Sequence, residues 1–265
     1  MKTVVTKLPA GEIVKIQKLP DGTFEVVQNV QEKETTVSKA FNNWPQITIL
    51  EELRYRRVEA ESLSLDDKFM KYKPKTELEK ETKALIKEVI DKGVKNFYRP
   101  IMDPSFTDDG ENICFEKGRK PAVGKSYNWW KKVAENFSSE RNSRLGTRLE
   151  YGAFLGVLIK NLVADGASVS WAWNAVCNDS KELGHYYNSE NAKHEFEPTG
   201  SRFICGFYDL ANTYKIFAED EEAGGFWLAG GFCYHCSDNY PLAVLSHYTY
   251  RLNDYDYGVG WLVLS

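Results

Sequence analysis

The chain has 265 residues and a formal net charge of −4, with 42% hydrophobic and 14% aromatic residues. That length can bury a core in one large domain, or in one domain with a small companion. An acidic balance without a basic stripe argues against nucleic-acid binding, and no apolar run reaches the length of a membrane span.

In chain order, Glu12–Ile16 and Thr23–Val27 are the first strand candidates, with Leu19-Pro20-Asp21-Gly22 as the turn between them. Residues 1–70 thus read as a small β-rich module and a connector, the charged connector running from Glu51 to Pro74. Thr76 and Glu79 form a capping box. Leu78, Leu85, Ile86, Val89 and Ile90 share one face of the helix that follows, and Gly93 stops it. Residues 97–125 read as turns and short strands. Ser126 caps a second helix carrying Trp130, Val133, Ala134 and Phe137. Thr147 and Glu150 make another capping box, and Tyr151, Phe154, Leu155, Leu158, Ile159 and Leu162 follow at the spacing of a broad buried stripe that Gly166 ends. From Ser201 onward Gly and aromatic residues dominate, and short strands are expected. The class is α+β.

Five cysteines (Cys114, Cys177, Cys205, Cys233 and Cys236) are too few and too scattered for a disulfide framework. The first residues lack a signal-peptide pattern. The expectation is cytoplasmic synthesis, with a virion or cell-surface destination left open. Cys233-Tyr234-His235-Cys236 has the look of half a zinc site. His247 could add a third ligand, but no second Cys/His pair stands at zinc spacing. No metal or cofactor is expected, and there is no phosphate loop, G-x-S-x-G or H-E-x-x-H.

The end of the chain is unusual. Between Phe232 and Val259 there is no Lys, Glu, Gln, Met or Trp. At roughly a quarter of residues, close to average usage, these five types leave such a gap by chance in the order of one window in several thousand. The stretch is instead rich in Tyr, Asp, Asn, Ser and His, with polar types on both parities. Tyr gives large contact area at low entropy cost, and the small polar residues give adaptable hydrogen bonds, as in antibody binding loops.

Four segments resemble, in order, the formylglycine-generating-enzyme type of C-type lectin fold. Arg144-Leu145-Gly146-Thr147-Arg148-Leu149-Glu150-Tyr151-Gly152-Ala153 resembles its R-L-P-T-x-x-E-W-E-Y-A segment. Cys205-Gly206-Phe207-Tyr208-Asp209-Leu210-Ala211-Asn212-Thr213-Tyr214 resembles G-L-Y-D-M-x-G-N-V-W. Trp227-Leu228-Ala229-Gly230-Gly231 is similar to the V-x-R-G-G strand, and Tyr257-Gly258-Val259-Gly260-Trp261-Leu262-Val263 to the closing G-F-R strand. Gly146, Ala229 and Trp261 depart from the pattern, standing for Pro, Arg and Arg.

This resemblance implies a C-type lectin domain over 71–265. Within that fold are the variable proteins of diversity-generating retroelements, among them phage receptor-binding tips such as the major tropism determinant. Their variable repeat lies between the G-G strand and the last strand. Randomising the first two adenines of AAC or AAT codons yields fifteen residue types. The five it cannot yield are Lys, Glu, Gln, Met and Trp, the five missing here. The resemblance therefore implies a binding protein without enzymatic activity, with a variable region at 232–257. Its contact residues would be Phe232, Tyr234, His235, Ser237, Asp238, Asn239, Tyr240, Ser246, His247, Tyr248, Tyr250, Arg251, Asn253, Asp254, Tyr255, Asp256 and Tyr257. Pro241, Leu242, Ala243 and Leu245 are either framework or variable. The expected partner is a protein or cell-surface ligand, with the N-terminal module available for attachment to a particle or partner. The alternative is the copper oxidase of the same fold, using Cys233 and Cys236. The calcium-lectin motifs E-P-N, Q-P-D and W-N-D are absent.

Overall fold

The structure, a computed structural model, describes residues 55–138, 141–183, 199, 226–230, 242–248 and 258–265, with 181–182 and 246–248 in backbone only. It also describes the strand backbones at 3–7, 13–18, 24–29, 203–204, 207–208, 215–216 and 255–256. Contacts divide the chain into two units, Met1–Lys39 and Ala40–Ser265.

In the first unit, β1 (Thr3–Lys7), β2 (Ile13–Lys18) and β3 (Phe24–Asn29) form an antiparallel sheet in that order. The β2–β3 register shifts between Lys15 and Ile16. The two expected strands are present, and β1 joins them through the β-branched run Thr3-Val4-Val5-Thr6.

The second unit mixes helices and small sheets, an α+β arrangement. Its first strand, β4 (Tyr55–Val58), pairs with β5 (Phe97–Pro100). Single 3-10 turns follow at Ala60–Ser62 and Lys68–Lys71. The connector expected over 51–74 is therefore corrected. Tyr55, Val58, Ala60, Leu63, Phe69 and Met70 are all buried in the main core. Their spacing follows neither a strand nor a helix, because a four-residue strand and two short turns present them, so the charged residues between them dominate the sequence pattern.

Four α-helices occur among the described residues. Helix α1 (Glu77–Lys92) starts at the expected capping box, with the Thr76 side chain accepting from the Glu79 N–H, and ends at Gly93 in the left-handed region. Helix α2 (Tyr127–Phe137) is capped by Ser126, which accepts from the Trp129 N–H. Helix α3 (Arg148–Ala164) carries the second capping box. Helix α4 (Val169–Cys177), capped by Ser168, was not anticipated. The end of α4 is riveted to the start of α1. Thr76 Oγ1 donates to Asn178 Oδ1 at 2.9 Å, and Asn178 Nδ2 donates to Glu79 Oε1 at 2.9 Å.

Every residue from Glu150 to Ile159 is buried, so α3 is enclosed on all sides rather than along a stripe. Gly152 and Gly156 allow this, since Leu85, Leu63 and Ile86 side chains occupy the space a Cβ would need there. Between α1 and α3 the chain also forms β6 (Ser105–Phe106), β7 (Ile113–Cys114), β8 (Lys125–Ser126) and β9 (Arg144–Leu145), the last two packed near α2. Toward the end come β10 (Phe203–Ile204), β11 (Phe207–Tyr208), β12 (Lys215–Ile216), β13 (Phe226–Ala229), β14 (Leu245–Tyr248), β15 (Tyr255–Asp256), β16 (Val259–Gly260) and β17 (Leu262–Val263). The largest sheet has the order β14-β13-β12-β16, with β12 and β16 parallel.

Leu158 is fully buried at mid-helix. Leu158→Ala should cost about 2–5 kcal/mol, from lost transfer energy and the cavity left behind. Denaturant melts of the two proteins measure it.

Candidate functional site

The sheet and its flanking pairs hold both ends of the 232–257 stretch. On the near side, β13 pairs with β14 in the register Phe226↔Tyr248, Trp227↔His247, Leu228↔Ser246 and Ala229↔Leu245. On the far side, β15 pairs with β8 (Tyr255↔Ser126, Asp256↔Lys125), β16 with β12, and β17 with β9. The segment immediately after the stretch is deeply packed, with Val259, Trp261, Leu262, Val263 and Leu264 all buried.

The central part of the stretch is anchored through its backbone. The Leu242 N–H donates to Ser180 Oγ at 3.0 Å, and the Leu242 carbonyl accepts from the Tyr151 hydroxyl at 2.8 Å. The Ala243 N–H donates to the Val176 carbonyl at 3.2 Å, and the Val244 carbonyl accepts from the Gly230 N–H at 2.8 Å. The side chains of Leu242 and Ala243 are also buried, at 0% and 3% exposure. These two residues belong to the frame.

The motif segments build that frame. Arg144 on β9 grips Glu150 on α3 with two bonds, Nη1 to Oε2 at 2.8 Å and Nη2 to Oε1 at 2.6 Å. Glu150 Oε2 also accepts from the Thr147 N–H at 2.8 Å, so one carboxylate closes the capping box and ties the strand to the helix. The next residue, Tyr151, reaches across to Leu242. Its ring meets Trp261 edge-on at 5.4 Å, and Trp261 also meets Phe97 edge-on at 5.8 Å.

Two of the positions that depart from the resembled motifs, Gly146 and Trp261, touch each other. A Cβ at position 146 would lie 2.3 Å from the Trp261 ring, and the Gly146 N–H donates to the Trp261 carbonyl at 2.9 Å. The bulky Trp261 requires the bare Gly146. At the third departure, Ala229 is 1% exposed and pairs with Leu245 and Lys215 in the sheet.

Beneath Trp261 lies a buried cation. The Arg99 guanidinium sits 4.4 Å from the Phe154 ring centroid and 5.8 Å from that of Trp261. Burial pulls its pKa down to about 10, while Asp103 and Tyr151 act in the opposite sense, so it remains charged at neutral pH. Burial also raises the Tyr151 phenol, keeping it protonated to donate to Leu242.

A pocket of about 290 Å³ lies beside β14, lined by Thr82, Leu85, Arg148, Trp227, Ala243 and Leu245 among others. Arg148 stacks 5.6 Å from the Trp227 ring and pairs with Glu88 at 2.7 Å. This pocket has room for an aliphatic side chain, with a guanidinium at its wall. Residue periodicity did not signal it, because its walls come from four separate segments.

Of the expected contact residues, Ser246, His247 and Tyr248 lie on β14, and Tyr255 and Asp256 on β15. Phe232, Tyr234, His235, Ser237, Asp238, Asn239, Tyr240, Tyr250, Arg251, Asn253, Asp254 and Tyr257 fall outside the described residues, as do Cys233 and Cys236. Among the described residues no group of three or more His, Cys, Asp or Glu side chains could hold a metal. Cys177 is buried, and burial pushes its thiol up to about 12, which makes it a poor nucleophile. Comparison of the chain with protein-family models, curated proteins and solved structures returns no match.

Two predictions follow from this packing. Gly146→Ala should cost about 1–3 kcal/mol by overpacking. In a Trp261→Leu background the same change should cost much less, and a double-mutant cycle on denaturant midpoints reads the difference. The Cys177 thiol has a pKa raised in the fold from 9.0 to about 12. Its contribution to stability is fully present below pH 9 and is lost as pH rises from there toward 12. Melting temperatures across that range should fall less steeply for Cys177→Ala than for the parent.

Proposed function

We propose that this chain is a ligand-binding protein with a C-type lectin fold of the formylglycine-generating-enzyme type. Its C-terminal stretch 232–257 is a recognition surface diversified by adenine-directed mutagenesis. The observation that carries this reading is the missing set of five residue types between Phe232 and Val259, which matches what a randomised AAC codon cannot encode. The stretch lies between segments matching the G-G strand and the closing strand, the place the variable repeat takes in that family. Non-enzymatic binding of a protein or cell-surface ligand is the activity this composition serves, through Tyr anchors and small polar contacts.

The packing supports the reading in a specific way. The hydrogen bonds that reach Leu242, Ala243 and Val244 are made to backbone atoms, which every residue type except proline supplies in full. The frame around the stretch is rigid and aromatic, as a scaffold for interchangeable contacts requires. The N-terminal unit is then the candidate for attachment to a particle or partner, at a site of virion or cell-surface display.

The test is a library in which 232–240 and 246–257 are redrawn from the fifteen permitted types, with Leu242 and Ala243 kept. Most members should melt within a few degrees of the parent and differ in what they bind. General unfolding of the library would place the stretch in the core and defeat the proposal. Sequencing the surrounding DNA gives an independent check. The reading expects a reverse transcriptase gene and a near-copy of the 3′ end that differs only at adenines.

A further inference from the structure

A groove of about 600 Å³ runs along α2, away from the family motifs. Trp129, Lys132, Val133, Asn136 and Phe137 lie on one face of the helix and form one wall. Residues 111–113, from the tip of the β6–β7 hairpin into the start of β7, form the other. The volume is within the range of small-molecule sites, roughly 300–1,000 Å³.

Both walls are fixed in advance. Trp129 is half-buried and held edge-on by Phe106 at 5.9 Å and Trp130 at 5.0 Å, with Lys125 Nζ 4.9 Å from its ring centroid. The hairpin tip is closed by the Thr107 N–H donating to the Asn112 carbonyl at 3.0 Å. The Glu111 N–H donates to Asp109 Oδ1 at 2.9 Å. Glu111, Lys132 and Asn136 are exposed, and none of their side chains has a hydrogen-bond or ion-pair partner among the described residues.

We propose that this groove is a saccharide site that works without calcium. Trp129 contributes indole surface to the lining, which suits the C–H bonds of a sugar ring. Around it stand an acceptor-only carboxylate (Glu111), a donor-only ammonium (Lys132) and a carboxamide that both donates and accepts (Asn136). A ring of hydroxyls, each able to donate and accept, satisfies all three. The competing ligand classes fit less well. A phosphate would face the Glu111 carboxylate, and a purely aliphatic ligand would strip water from Glu111 and Lys132 with nothing in return. The site is built from residues outside 232–257, so it does not rest on the proposed diversification.

The full chain is tested on an array of hexose- and N-acetylhexosamine-terminated saccharides in excess EDTA, and hits are titrated by tryptophan fluorescence. At least one saccharide should bind. Asn136→Ala combined with Glu111→Gln, both at exposed positions, should weaken it at least tenfold with an unchanged melting temperature. Trp129→Phe should also weaken it, and replacing tail residues at 246–257 should not. The proposal is overturned if no saccharide on the array binds, or if the double variant binds as the parent does. It is equally overturned if tail substitutions abolish binding that the groove variants keep. The tail library can succeed or fail independently of each of these results.

Discussion

The Tyr151 hydroxyl donates to the Leu242 carbonyl, and much of the architecture serves that bond. Tyr151 can make it because α3 runs through the middle of the unit, buried on all sides from Glu150 to Ile159. A helix on the surface could not hold a phenol in a dry environment at a fixed depth. Burial keeps the phenol neutral, and a neutral phenol in a low-dielectric setting is a good donor to a carbonyl. The bond costs the tail no side-chain specificity, because the acceptor is main chain. Ser180 and Val176 repeat the device at the neighbouring N–H groups of Leu242 and Ala243.

The same segment shows that the positions of the 232–257 stretch are not equivalent. Leu242 and Ala243 fill space against the core, and a larger or charged side chain at either position would have to be buried. The proposed codon-restricted mutagenesis would resolve the conflict, since codons lacking the target adenines would stay as they are. The frame on either side follows the opposite rule. Trp261 and Gly146 fit as a pair, Arg144 and Glu150 are joined by a two-point ion pair, and Arg99 lies against the Phe154 and Trp261 rings. Each is a match between specific side chains that single substitutions disrupt.

Local signals were legible in the sequence, and non-local ones were not. Both capping boxes and the Ser126 cap are visible because the donor and acceptor lie within three residues of each other. Helix α4 escaped because it has nine residues, several of them aromatic or β-branched, and its third position is Trp171 rather than the Glu that completes a capping box. The core role of 55–70 escaped because 3-10 turns give no regular period. In the tail, composition marked the stretch as a whole. Sorting Leu242 and Ala243 from their neighbours needed contacts with Tyr151, Val176 and Ser180, which are distant in sequence.

The pairing of β15 with β8 links the two surfaces of this unit. Asp256 lies opposite Lys125 in that ladder, and Lys125 in turn lies over the rings of Phe106 and Trp129. Strand β8 runs directly into α2, so the end of the 232–257 stretch is tied by main-chain pairing to the element that carries the groove. Because the tie is main chain, changes of residue type at 255 and 256 leave the register of β8 in place, and with it the position of Trp129. On the proposed reading, a constant groove stands beside a changing surface without inheriting its changes. The strand pairing insulates one from the other, as the Tyr151 bond insulates the core.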